Sequence, residues 1–472
     1  MKNPDRLVGY LCIDDSNFAF EFNYADFTLY LYPSIQKENL LNSVFEDIKW
    51  FNCKEHKFID NIKFSGVTSS GKKIIFNVLD GPSSFDGFKV YNVNWYFYYN
   101  DSINSDRIDG FRIKGTEIDF FYPPQKALET KIEFSAENNR VKSLQVSSNG
   151  NNNSSNCGKY KLIKGVDATI ELSAYATVHT DTAINPICAN SMMITYFSKP
   201  VDVDTLIVAY YNAVRFFEYV TYRSNIDIKS IDIFFYNQDG LKQYDGILAF
   251  KNKNDIEKYQ NAKNRIISYD VLLKKTTKIL SLINKNKIGF GHICKSIDDN
   301  RHYPVSRTIM ILTEFEREFR NIYGTDFNRS NAYIGVKSDI VNLINIYLHE
   351  KHGKYRQYAK QLRNYVDDRD NSFEANVRYA LGDCEDIMDL FIKGKYHSEN
   401  YKTAVDGIAN RVGELRNGIA HSRLDLKIKP TFFADIKIIE ELTYAIRLKK
   451  LGIKSHECKK AINDLFGERF GL

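Results

Sequence analysis

The sequence predicts an α+β protein, with an antiparallel β-rich, sandwich-like region first and an all-α helical bundle after it. Three observations predict this. Short runs of aromatic and β-branched residues separated by turn clusters fill the first 190 residues. Helical periodicity takes over near residue 256. At 472 residues the chain also exceeds one ordinary core. The expected domains are a β-rich sensing or targeting region over 1–190, an αββ segment over 191–255 that closes it, and a helical domain over 256–472.

In chain order, Phe18 to Phe22, Thr28 to Leu31, Lys73 to Val78, Lys89 to Tyr99, Thr130 to Phe134 and Val141 to Val146 read as strands. Turn residues such as Asp80-Gly81-Pro82-Ser83 separate them, and without a helical pattern in between they suit an antiparallel sandwich or barrel. Ser147 to Gly158 is polar and Asn/Ser-rich, which predicts a flexible loop. Val203 to Tyr222 places Leu206, Tyr210, Val214, Phe217 and Val220 at helical intervals. Strands Ile228 to Tyr236 and Gly246 to Lys251 follow, joined near Asp239-Gly240.

Beyond them the periodicity predicts helices over Asp255 to Ile283, with an interruption near Ser268-Tyr269, then Val305 to Ile322, Val336 to Glu350, Tyr355 to Val366 and Asn371 to Ile392. Tyr401 to His421, Thr431 to Leu451 and Ser455 to Phe466 complete a bundle.

A 43% hydrophobic and 14% aromatic content can fill such cores. The formal charge of +6 is compatible with nucleic acid but too mild to identify it. Cys12, Cys53, Cys157, Cys188, Cys294, Cys384 and Cys458 form neither a C-x-x-C pair nor a zinc spacing, and read as reduced thiols. Asp14 and Asp15 cut short the first apolar stretch, which argues against a signal peptide. No run of about eighteen apolar residues predicts a membrane span. A cytoplasmic protein without membrane association, metal or cofactor is the expectation.

The strongest functional signal is Glu414-Leu415-Arg416-Asn417-Gly418-Ile419-Ala420-His421. At about 100° per residue, Ile408, Val412, Leu415 and Ile419 share one side of the helix as a core stripe. Gly413, Arg416, Asn417, Ala420 and His421 fall outside it, with Asn417 and His421 one turn apart. Gly413 and Gly418 each cost a helix roughly 1 kcal/mol against alanine, so they argue for something approaching closely on this face. Imidazole can move protons at a ribose 2′-hydroxyl or a leaving 5′-oxygen, while guanidinium stabilises a phosphate as charge builds. Asn417 can orient either group.

Arg416 and His421 point about 140° apart on an ideal helix. One helix therefore focuses both poorly on one phosphate, and a composite site at a two-fold homodimer interface through this helix resolves the difficulty. An arginine and a histidine this close also serve as a surface pair or as partners of a helix C-terminus. Of the nine histidines, however, only His421 has an arginine five to seven residues before it.

Arg416-Asn417-Gly418-Ile419-Ala420-His421 resembles the R-N-x-x-A-H form of the R-x4-6-H signature of HEPN domains, and more narrowly the Apea-like HEPN proteins of bacterial antiviral defence. The helix Arg307 to Glu316 and the late helix ending Ala445 to Gly452 are similar to that family, and so is the order of a β-rich region before a helical one. The resemblance covers about the last 200 residues and is looser before them. It implies metal-independent RNA cleavage, pairing of two copies through the motif helix, and arrest of translation in infected cells. It carries catalytic roles to Arg416, Asn417 and His421, with an accompanying carboxylate assigned to Glu314, or alternatively Glu316.

A second stretch, His352 to Tyr365, puts Arg356, Lys360 and Arg363 on one helix face and Tyr355, Tyr358, Leu362 and Tyr365 on another. The basic residues can track RNA phosphates and a tyrosine can stack on a base. The alternative is a solvated basic face over an aromatic core stripe. Gly289-Phe290-Gly291-His292-Ile293-Cys294 lacks a remaining ligand set for a metal, and no P-loop or Ser/His/Asp order is present.

The Arg416–His421 cluster predicts an endoribonuclease, and the resemblance implies that it serves abortive infection, with host RNA, tRNA foremost, as the expected substrate. The resemblance further implies a viral component as trigger, which the β-rich region is expected to sense. A non-catalytic RNA- or partner-binding and dimerisation module is the rival reading. A weaker rival has the β-rich region bind a carbohydrate or other small ligand.

Overall fold

The computed structural model describes residues 6–13, 16–32, 62–79, 83–85, 88–100, 106–134, 141–148, 153–178, 187–251, 255–324, 331–368, 372–397, 400–420, 431–468 and 470–471. The chain separates into two compact units, 1–211 with 227–256 and 212–226 with 257–472. The segment 191–255 is thus shared between them, with 212–226 belonging to the helical unit.

The first unit is antiparallel β-structure, as expected, and of the sandwich and the barrel that the strands suit, six of them form the barrel. β1 (Arg6–Ile13), β2 (Ser16–Asn23), β3 (Thr28–Tyr32), β4 (Ile62–Thr68), β5 (Lys73–Val78) and β7 (Phe88–Tyr99) pair in the cyclic order β7-β3-β2-β1-β4-β5-β7. β7 is the seam, because residues 89–92 pair with β3 while residues 93–99 pair with β5. The inward positions alternate as a half-buried strand requires. Leu11, Phe20, Phe22, Leu29, Phe76 and Val93 meet inside. Gly9 and Gly66 permit the approach of β1 to β4, since a Cβ at Gly9 would lie 2.2 Å from the Val67 carbonyl oxygen.

From the far edge of β7 the sheet continues through β15 (Lys242–Phe250), β14 (Ile228–Tyr236), β8 (Ile108–Gly115), β13 (Ile187–Val201), β12 (Val166–Val178) and β11 (Asn153–Ile163). The short β6 (Ser83–Phe85) pairs with β7, while β9 (Leu128–Phe134) and β10 (Val141–Ser148) form a separate ribbon. The expected loop Ser147 to Gly158 is largely strand: Ser147 and Ser148 end β10, and Asn153 to Gly158 open β11. Residues 149–152, and 80–82 of the Asp80 turn, lie outside the described residues. Cross-strand pairing with β12 supplies backbone partners that override the polar composition of Asn153 to Gly158.

The helices are α1 (Thr116–Phe121), α2 (Val203–Thr221), α3 (Tyr259–Ala262), α4 (Tyr269–Leu272), α5 (Thr276–Asn284), α6 (Val305–Tyr323), α7 (Asn331–Glu350) and α8 (Gly353–Asp368). They continue with α9 (Phe373–Asp383), α10 (Glu385–Tyr396), α11 (Tyr401–Ala420), α12 (Phe432–Lys450) and α13 (Ser455–Phe466). Two expected long helices are broken. Asp255 to Ile283 is interrupted at Ser268-Tyr269 as expected, where α4 begins, and it divides further into α3, α4 and α5, with Asn264 and Leu273 taking positive φ after α3 and α4. Asn371 to Ile392 divides at the buried Cys384, whose φ of −99° and ψ of 20° depart from the helix. Ser372 caps α9 by accepting from the Ala375 N–H.

α12 is the centre of the helical unit, buried almost all round from Asp435 to Leu448. Its buried polar side chains are paired. Arg447 forks onto Glu318 of α6. Glu440 accepts from Arg307 at 2.5 Å, from Tyr303 at 2.7 Å and from the Tyr222 hydroxyl. Tyr219 and Tyr444 stack at 4.8 Å. These pairings place α6 beside α12, and α11 packs on both.

Candidate functional site on the Arg416 helix

α11 begins where the Asn400 side chain accepts from the Thr403 N–H at 3.2 Å. Its rotation is set by burial of Ile408, Ala409 and Val412, by a two-pronged bond from Arg411 to Asp435 at 2.8 and 2.7 Å, and by Arg378 bonding Asp406. Leu415 and Ile419 continue the stripe half-buried. With that face fixed, Asn417 lies in solvent and the Arg416 side chain stays 42% exposed.

Arg416 reaches two polar neighbours. Its Nη1 approaches Asn417 Oδ1 at 3.5 Å, and its Nη2 stands 3.6 Å from Glu316 Oε2 on α6. Glu316 also accepts from Arg320 at 2.9 Å. The first-choice carboxylate, Glu314, is not the one placed there. It is buried, accepts from the Gly289 N–H at 2.8 Å and lies 3.8 Å from Arg317. Two residues along a helix are about 200° apart, so α6 cannot turn both acids toward α11. Burial raises the Glu314 carboxyl above the usual range against the opposing backbone bond from Gly289. A Cβ at Gly289 would sit 1.9 Å from Glu314 Oε2, which explains a glycine there.

Gly413 accommodates a neighbour, as its helix-weakening cost suggests, and the neighbour belongs to the same chain. A Cβ at Gly413 would meet the Glu374 carboxylate of α9 at 2.0 Å. His421 lies outside the described residues. The structure therefore brings together Arg416, Asn417 and Glu316, a cation free to exchange one weakly held carboxylate for another anion. A separation of 3.6 Å exceeds that of a charge-assisted hydrogen bond, so Glu316 holds the guanidinium loosely.

The second predicted patch lies on α8. Arg356 and Lys360 are exposed, whereas Arg363 is half-buried on the side that also carries Ala359 and Val366. Tyr355, Tyr358, Leu362 and Tyr365 do not form a core stripe; all four are exposed. Sequence periodicity marks an apolar helix face but does not say whether the chain itself covers it.

Near the start of α6 a cavity of about 520 Å3 is lined by His292, Cys294, Lys295, His302 and Arg307 among others. Burial and the nearby Arg307 charge push the His292 imidazole down to about 3, and burial pushes the Cys294 thiol up to about 12. Both groups are therefore neutral at physiological pH. No group of three or more His, Cys, Asp or Glu suited to a metal occurs among the described residues. No described helix is long and apolar enough to cross a membrane. No family model, curated protein or solved structure matches the chain.

Proposed function

We propose that the helical unit is a metal-independent HEPN-type endoribonuclease of antiviral defence, acting in the cytoplasm on host RNA, with tRNA as the substrate. The observation that carries the reading is the Arg416 guanidinium, held half-exposed beside Asn417 on a helix whose opposite face is locked into the core. A phosphate can displace Glu316 from it, because a dianionic phosphorane competes strongly for a guanidinium fork. An ordinary surface ion pair contributes little to stability, so nothing structural is lost when Glu316 gives way.

In the proposed reaction the ribose 2′-oxygen attacks the adjacent phosphorus and the P–O5′ bond breaks. The 2′-hydroxyl proton leaves to a base and the departing 5′-oxygen gains a proton, giving a 2′,3′-cyclic phosphate and a 5′-hydroxyl end. His421 handles these protons, Arg416 neutralises the phosphorane and Asn417 positions the phosphate. Two copies facing through α11 would bring an arginine of one to a histidine of the other. The β-rich region would sense a viral component and release the activity.

The test is incubation of the purified protein with total cellular RNA in EDTA, with fragment ends read by sequencing, for wild type, His421→Ala and Arg416→Ala. Discrete cyclic-phosphate ends that fall at least a hundred-fold in both variants are expected. Cuts that survive in both variants, or no cuts with or without extract from virus-infected cells, reject the nuclease in favour of a binding module.

A further inference from the structure

Among the described residues, α7 and α8 form an antiparallel hairpin that packs chiefly on itself. The half-buried residues of α7, Lys337, Val341, Ile344, Asn345 and Leu348, mark the side turned to α8; Ala359, Arg363 and Val366 mark the matching side of α8. Next to each packed side runs an exposed apolar stripe. On α7 it is Val336, Ile340, Leu343 and Tyr347, spaced i, i+4, i+7 and i+11. On α8 it is Tyr355, Tyr358, Leu362 and Tyr365, spaced i, i+3, i+7 and i+10.

Both stripes fall on one flank of the hairpin. At about 100° per residue, each is displaced by roughly a right angle from its packed side, toward lower helical angle in both helices. The helices run in opposite directions, so a displacement of the same sense carries both stripes to the same flank. Leu343 and Leu362, 65% and 60% exposed, sit near the middle of this surface. No Asp, Glu, Lys or Arg interrupts either stripe. At roughly 100 Å2 per side chain on average, the eight residues offer on the order of 800 Å2. That exceeds the largest apolar patch of an ordinary monomer and matches the roughly 800 Å2 that each partner gives to a stable interface.

We propose that this flank is the surface on which a second copy of the chain docks, two α7–α8 hairpins forming a four-helix bundle. The 3–4 residue spacing of both stripes is that of helices packing nearly parallel, and the stripes are alike in length, roughly 15 Å. A flat two-helix face needs another of the same width, and its own twin supplies it isologously. With both turns at the same end, α7 of one copy lies antiparallel to α8 of the other. Glu350 at the end of α7 then meets Lys354 at the start of the facing α8. Arg356 and Lys360 point away from this flank and stay in solvent. The exposed side of α11 around Arg416 is polar, whereas this flank of the hairpin is apolar. The inference stands apart from the catalytic reading, because association is measured without RNA.

The experiment is analytical ultracentrifugation of the full chain from 0.1 to about 100 μM, comparing wild type with Leu343→Glu/Leu362→Glu and with the milder Leu343→Gln/Leu362→Gln. Circular dichroism and the thermal midpoint check the fold, which both doubles should retain because the replaced side chains are exposed. A wild-type dimer that becomes monomeric in the Glu double, with at least a hundred-fold weaker association, is expected. The Gln double should lie between them. A wild type that stays monomeric throughout, including one that instead binds RNA through this flank, overturns the proposal. So does a dimer that persists in a folded Glu double.

Discussion

Glu316 of α6 holds its carboxylate 3.6 Å from the Arg416 guanidinium, whereas Glu314, two residues earlier, spends its carboxylate on the Gly289 N–H. The two acids should therefore separate cleanly on substitution. Glu316→Gln frees Arg416 for phosphate and should tighten RNA binding a few-fold, read as a lower KM in single-turnover cleavage. Glu314→Gln keeps the acceptor and should leave cleavage within two-fold of wild type. Glu314→Ala leaves the Gly289 N–H without its partner and should cost about 1–3 kcal/mol in urea unfolding. Equal kinetic effects of the two Gln variants would remove Glu316 from the site.

The Arg447–Glu318 pair, with side chains only 5% and 4% exposed, joins α12 to α6. Burial nonetheless raises the Glu318 carboxyl to about 7 despite the adjacent arginine. Removing one partner should therefore harm more than removing both. Arg447→Met should destabilise by about 3–5 kcal/mol, and Arg447→Met/Glu318→Leu should recover most of that loss. Chemical denaturation of the four proteins of the cycle checks it.

Glu441 provides a pH signature. It is fully buried, and burial raises its carboxyl to about 8 against the attraction of Lys395, which bonds it at 2.8 Å. A carboxyl whose folded pKa is raised binds its proton more tightly when folded. Its stabilising contribution is complete below the unfolded value near 4.5 and is lost as pH rises toward 8. Glu441→Gln should flatten the decline of stability between pH 5 and 8, by on the order of 1–3 kcal/mol. An unchanged pH slope in the variant would assign the decline to other groups.

What the sequence made legible follows from where the physics is local. The α11 stripe of Ile408, Val412, Leu415 and Ile419 depends only on helical spacing, and it points into the core as expected. The choice between sandwich and barrel was not legible, because β7 pairing with both β3 and β5 is a long-range event that alternation leaves open. Which of Glu314 and Glu316 lies beside Arg416 was equally invisible, since only the packing angle of α6 decides it. The tyrosine stripe of α8 shows the same limit, because apolar periodicity is identical for a core and for a surface awaiting a partner.

Arg356, Lys360 and Arg363 share a helix face, yet their surroundings differ, and the salt dependence of RNA binding should reveal it. Arg356 and Lys360 are exposed, while Arg363 is half-buried beside Val366. Each phosphate contact on single-stranded RNA contributes roughly 0.7 to the slope of log K against log salt. Arg356→Ala/Lys360→Ala should therefore weaken binding and reduce the slope by about 1.4. Arg363→Ala should leave the slope alone and loosen the hairpin instead, seen as faster amide exchange in α7 and α8. Tyr358→Ala lies on the other flank and should not change RNA affinity. If all four proteins, wild type included, share one slope, α8 is not an RNA-binding surface and RNA is held elsewhere.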